Sequence, residues 1–233
     1  MPSGSGQDGV YSKDSNERKS SSSLPRFGPE GDQEADGSTD PGSAAAWLQS
    51  GSNDTGAVSG KTVAAQEKGI RENLGRFGDP KEASFDAKFI PEKSGGNEHN
   101  VVYDNFSNTV RKRLKTENYW GRPDWNPSDY LKSISLFNQI APSARIDIIG
   151  AYLLDDGTPS LVIEMPAIMG KHLSPKEVHK KLENMGFTRL NDGSTTLDYV
   201  HPAGIIIRDA HHKNFVYTEK GDLIPIDLQV ERK

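Results

Sequence analysis

Gly204-Ile205-Ile206-Ile207-Arg208-Asp209-Ala210-His211-His212-Lys213-Asn214 is followed a little later by Leu223-Ile224-Pro225-Ile226-Asp227-Leu228. Three consecutive isoleucines predict a buried strand, so apolar backbone anchors Asp209 while its side chain emerges at the strand's end. Asn214 lies five residues on and Asp227 thirteen after that, closing a second apolar run. A carboxylate, an amide oxygen and a second carboxylate are hard oxygen donors of the kind that hold Mg²⁺ against phosphates. With Asn214 and Asp227 as metal ligands, Asp209 is left to orient or deprotonate an attacking hydroxyl. Taken alone, Asp209 and Asn214 read better as a turn that bonds its own backbone.

Working outward from this stretch, Phe215–Tyr217 and Leu223–Ile226 read as strands joined by Glu219-Lys220-Gly221-Asp222. Phe187–Leu190 and Leu197–Val200 are shorter strand candidates. Ser174-Pro175-Lys176-Glu177 is a capping box with proline at the first helical position, predicting a helix from Pro175 to Met185. Before it, Arg145–Leu154 and Ser160–Met165 form a hairpin through Asp155-Asp156-Gly157-Thr158-Pro159. Pro127-Ser128-Asp129 opens a helix that presents Tyr130, Leu131, Ile134, Phe137 and Asn138 on one face and is stopped by Pro142. A first hairpin spans Asn100–Tyr103 and Thr109–Leu114. The order predicts an α+β fold with a small antiparallel sheet.

Residues 1–60 are dominated by Gly, Ser, Asp, Asn and Gln, too little apolar surface to offset chain entropy, and read as a disordered tail; its apolar island, Ala44-Ala45-Ala46-Trp47-Leu48, reads first as a transient helical turn and second as a segment that docks on the folded part. Residues 61–94 read as a linker with a weakly helical pattern, and 95–233 as the folded domain. The absence of cysteine excludes disulfides, thiol redox chemistry and thiolate metal sites. His201, His211 and His212 raise a zinc alternative, which their spacing disfavours. A net charge of −5 and a pI near 5.7 disfavour nucleic acid as a partner. The dense basic run Arg111-Lys112-Arg113-Leu114-Lys115 is the exception. With no apolar run of membrane-spanning length and no secretory core, the expected location is cytoplasmic.

Arg208-Asp209-x-x-x-x-Asn214 with Asp227 downstream resembles the catalytic loop and metal-binding aspartate of the protein-kinase fold. Within it, His211 is similar to the Asp-x-His-x-x-Asn form of small-molecule phosphotransferases. Upstream, Val110-Arg111-Lys112 resembles the kinase strand whose lysine meets nucleotide phosphates, and Glu164-Met165-Pro166 the hinge that contacts adenine through its backbone. Gly95-Gly96 stands where a phosphate-covering loop would lie. More narrowly, Ser128-Asp129-Tyr130-Leu131, Leu136-Phe137-Asn138, Gly170, Ser174-Pro175-Lys176-Glu177, Gly186-Phe187 and Pro225-Ile226-Asp227 resemble the serine/threonine/tyrosine kinase-like domain of phage and mobile-element polyvalent proteins. The resemblance implies a minimal kinase-like fold with a truncated C-lobe. It also implies ATP and Mg²⁺ as cofactors, with Asp209 and His211 at the reacting end and Lys112, Gly95, Gly96, Glu164, Met165 and Pro166 around the nucleotide.

The chain departs from the kinase pattern in three places: Ile207 replaces the histidine before Arg-Asp, Asp227-Leu228-Gln229 replaces Asp-Phe-Gly, and no glutamate of the 127–139 helix faces Lys112. Lys233 comes six residues after Asp227, leaving no activation segment in the sequence. The leading expectation is ATP-dependent phosphoryl transfer to an unidentified protein or small-molecule acceptor. The alternative is a nucleotide-binding or interaction module without turnover.

Overall fold

The computed structural model describes residues 23–28, 40–50, 63–77, 99–115, 120, 125–154, 156–190 and 197–233. Among them the architecture is mixed α/β, with four α-helices and antiparallel sheets. Strands β1 (His99–Asp104), β2 (Thr109–Leu114), β3 (Asp147–Leu153) and β4 (Pro159–Pro166) form a sheet in the order β1-β2-β4-β3. Both expected hairpins are present, β1 with β2 and β3 with β4. The second turns on Gly157, whose φ of +80° suits a residue without a Cβ. Asp156 supports that turn by accepting from the Thr158 N–H at 2.8 Å.

Helix α3, the third in chain order, spans Pro127–Ile140 between β2 and β3. Asn126 and Asp129 cap its start reciprocally, and Pro127 sits in its first turn, where no backbone N–H is needed. Tyr130, Leu131, Ile134 and Phe137 are buried along one face, as the apolar spacing requires. Asn138 clamps the following turn to the sheet, donating to the Ile146 carbonyl at 2.8 Å and accepting from the Ile146 N–H at 2.7 Å. Helix α4 (Pro175–Asn184) carries the expected capping box of Ser174 and Glu177.

The C-terminal strands are β5 (Thr188–Arg189), β6 (Tyr199–His201), β7 (Ile205–Arg208), β8 (Phe215–Tyr217), β9 (Leu223–Pro225) and β10 (Gln229–Arg232). One sheet runs β10-β7-β6-β5, and β8 pairs with β9 as a hairpin. Strand β10 has no counterpart in the sequence reading, because Gln229-Val230-Glu231-Arg232 holds a single apolar residue.

Within the stretch that composition assigns to a disordered tail, residues 23–28 and 40–50 are packed into the core. Phe27 is fully buried between Phe187 and Phe215, with ring centroids 5.8 and 6.1 Å away. Its N–H donates to the Ile140 carbonyl at the end of α3, at 2.6 Å. Helix α1 (Pro41–Ser50) buries Ala44, Ala45 and Leu48 and packs on α3. Gly42 permits the close approach, since a Cβ there would lie 2.9 Å from the Ser135 hydroxyl. Helix α2 (Val63–Glu72) falls in the stretch read as a linker, and it too joins the core through Ile70. Its Gln66 side chain accepts from the Ser128 N–H at 2.9 Å.

Candidate active site

Strand β7 delivers Arg208 to its last position, and β10 pairs back on it with Gln229 opposite Arg208. The two acids therefore sit just beyond one end of the same strand pair, Asp209 one residue after Arg208 and Asp227 two residues before Gln229. Between them the chain makes the β8–β9 hairpin, whose open end is drawn together by the Ile226 N–H donating to the Asn214 carbonyl at 2.9 Å. Asn214 and Asp227 are thus neighbours in space although thirteen residues apart in sequence. Strand pairing and one backbone bond convert the linear spacing into a cluster.

Asp209 has a φ of +53°, a left-handed conformation uncommon outside glycine and better tolerated by Asp and Asn than by most residues. Its N–H donates to Asp198 Oδ1 at 3.2 Å, while Asn214 Nδ2 donates to its carbonyl at 2.8 Å and to its Oδ2 at 3.0 Å. Because the Asn214 N–H groups face Asp209, its amide oxygen is left for a cation. Burial pushes the Asp209 carboxyl above the ordinary aspartate range, opposed by His211 and Asn214. The His211 Nδ1 accepts from the Lys213 N–H at 3.2 Å, so the ring proton lies on Nε2, which is 3.7 Å from Asp209 Oδ2.

Alternation along β2 separates the basic run. Lys112 and Leu114 turn inward and are buried, while Arg111 pairs outside the cavity with Glu164 at 2.6 Å. Lys112 Nζ donates to Asp227 Oδ1 at 3.2 Å and to the Ile226 carbonyl at 2.8 Å. Burial raises the Asp227 carboxyl, but the Lys112 ammonium and the nearby His99 and His211 hold it below the usual range. One cavity of about 390 Å³ is lined by Lys112, Asp209, His211, Asn214 and Asp227.

The remaining expected residues fall elsewhere. Glu164, Met165 and Pro166 do not line this cavity. The Glu164 carboxylate is taken by Arg111, and Met165 is buried in β4 opposite Val110. Gly95 and Gly96 lie outside the described residues. His201 is packed against Phe187, with ring centroids 5.2 Å apart. Trp120 is buried and donates to Glu67 at 2.9 Å, whereas Trp125 reaches the cavity wall.

Five contributors had no role assigned in the sequence reading. Asp198, only 1% exposed, accepts from Arg208 at 2.7 Å as well as from the Asp209 N–H. Arg208 also grips Glu231 of β10, at 2.8 and 3.3 Å. His99 and Tyr130 share a hydrogen bond of 3.1 Å and line the cavity beside Lys112. Burial, reinforced by Lys112, lowers the His99 pKa to about 4. Ser133, next along the inner face of α3, also lines the cavity. No spacing signal marks these residues; a buried acid following Leu197 was the one hint available.

The donor set suits Mg²⁺: Asp227 carboxylate and Asn214 amide oxygens are hard ligands, and Mg²⁺ ordinarily takes only one or two carboxylates and completes its shell with phosphate and water. Among the described residues no group of three or more His, Cys, Asp or Glu is placed to hold a metal ion. No curated protein and no solved structure matches the chain. Residues 81–232, well over half of the chain, match the family described as serine/threonine/tyrosine kinase found in polyvalent proteins. A lysine, two acids and an asparagine gathered on one cavity agree with that match, and the chain belongs to this family of kinases.

Proposed function

We propose that this chain transfers the γ-phosphoryl group of ATP to a hydroxyl acceptor in the cavity between β2, α3 and the β7–β10 junction. The carrying observation is that Lys112, Asp209, Asn214 and Asp227, contributed by separate parts of the chain, line the same cavity. Lys112 offers ammonium N–H donors to phosphate oxygens. Asn214 and Asp227 would hold Mg²⁺, which when bound would supply charge neutralisation on those phosphates. Asp209 accepts or orients the acceptor's hydroxyl proton, and His211 fixes the carboxylate's orientation. The acceptor oxygen forms its bond to phosphorus as the bond to the β-phosphate oxygen breaks, and ADP leaves with that electron pair. Adenine is assigned to the Glu164–Pro166 stretch, outside the cavity that takes the phosphates, where β4 runs on through Met165 and Pro166 past its last pairing with β3 at Glu164.

Calorimetric titration with ATP and Mg²⁺ tests the assignment, and Asp227→Ala should abolish the Mg²⁺-dependent part of binding. Binding unchanged in that variant would sink the metal role. Transfer is read with labelled ATP, with water or the chain itself as acceptor. Asp209→Asn should lower it about 10²–10⁴-fold while keeping the left-handed turn. A second reading, nucleotide binding without turnover, draws on one feature: α3 turns Tyr130 and Ser133 rather than an acid toward Lys112, which bonds Asp227 instead. Saturable ATP binding with no transfer would favour it.

A further inference from the structure

Strand β10 is the outer strand of its sheet, so its edge away from β7 has backbone groups that no strand pairs. Among the described residues, one of these groups is met by a helix instead: the Val230 N–H donates to Ser133 Oγ at 2.8 Å. Both partners are inside the protein, Ser133 at 5% exposure and Val230 at 1%. Ser133 sits midway along α3, one turn beyond Tyr130, and both line the cavity that holds Lys112 and Asp227. On its other side β10 is held by the pairing with β7 and by Arg208 gripping Glu231 at 2.8 and 3.3 Å.

We propose that Ser133 is a positioning residue for Asp227, anchoring β10 to α3 so that the carboxylate three residues before Val230 stays where the nucleotide's metal is received. The inference rests on the nucleotide reading above. Three residues of chain span at most about 10 Å even when fully extended, so movement of Val230 is passed to Asp227 with little slack. Leu228 and Gln229, the two residues between, also line the cavity. Ser133 touches neither metal nor phosphate in this role. It acts by satisfying a buried N–H that would otherwise lack a partner and pull β10 toward solvent.

Two measurements on the full chain test this, comparing wild type, Ser133→Ala and Ser133→Thr. In the ligand-free protein, amide exchange at Val230 and its neighbours should quicken at least about ten-fold in Ser133→Ala, with α4 unchanged. The Mg²⁺ concentration giving half-maximal ATP binding should rise about ten-fold in that variant, the size usual for losing a group that orients a metal ligand. Saturating Mg²⁺ should restore binding, and Ser133→Thr, which keeps the hydroxyl, should return both readouts toward wild type. Unchanged exchange at Val230 overturns the anchor. Faster exchange with an unchanged Mg²⁺ requirement, as a merely structural serine would give, overturns the positioning role. Wild type that binds no ATP at any Mg²⁺ concentration overturns the nucleotide reading and the role of Ser133 with it, and the exchange experiment then still tells that failure from a failed anchor.

Discussion

His99 is the residue whose surroundings most alter its chemistry. It is buried beside an ammonium group, and its pKa is lowered from 6.5 to about 4. The unfolded chain, whose imidazole titrates near its ordinary value, therefore takes up this proton first as pH falls. Stability should decline below about pH 6.5, and the loss should level off near pH 4, where the native ring protonates too. Between pH 7 and pH 5 the loss is about 2 kcal/mol from this group. Urea unfolding at the two pH values measures it, and His99→Gln should remove most of the difference. A variant as pH-sensitive as wild type would mean that other groups carry the effect. Lys112 teaches a related lesson about legibility: in the sequence it was one of several adjacent cations, and only strand alternation sent it inward while Arg111 found Glu164. Asp198 and Ser133 were hidden for a different reason. Their roles consist of bonds to backbone N–H groups distant in the chain, which no local pattern encodes.

Elements built on local signals were legible, and those built on distant partners were not. Helix α4 follows from Ser174-Pro175-Lys176-Glu177, and α3 from Pro127-Ser128-Asp129, because both signals describe structure made within one turn. The β3–β4 hairpin follows likewise from its own turn. Strand β10 exists only because β7 and α3 offer it partners, so its near-absence of apolar residues concealed it. The N-terminus of α3 offers a direct test of local control. Asn126 accepts from the Asp129 N–H at 3.1 Å and from the Ser128 hydroxyl at 2.9 Å. Asn126→Ala should cost about 1 kcal/mol of stability by denaturant titration. Because α3 carries Tyr130 and Ser133 to the cavity, the same variant should weaken ATP binding more than an equal destabilisation introduced in α4 by Ser174→Ala.

For the molecule as a whole, the candidate site and the family match both lie toward the C-terminus, yet the core extends back to Phe27. Glycine- and serine-rich composition masked this, since one phenylalanine and a short alanine-leucine helix contribute much packing from few residues. Phe27→Ala should destabilise the chain by about 3–5 kcal/mol, as expected for emptying a fully buried aromatic site. Thermal or urea unfolding would show it, and a change below about 1 kcal/mol would mean that the ring is dispensable. No helix among the described residues is long and apolar enough to cross a membrane. The position of Phe27, wedged between Phe187 and Phe215 and bonded to the end of α3, has a genetic corollary. A missense or frame-preserving lesion in this compositionally plain region would behave as a loss-of-function allele of the kinase module while leaving every residue of the cavity intact.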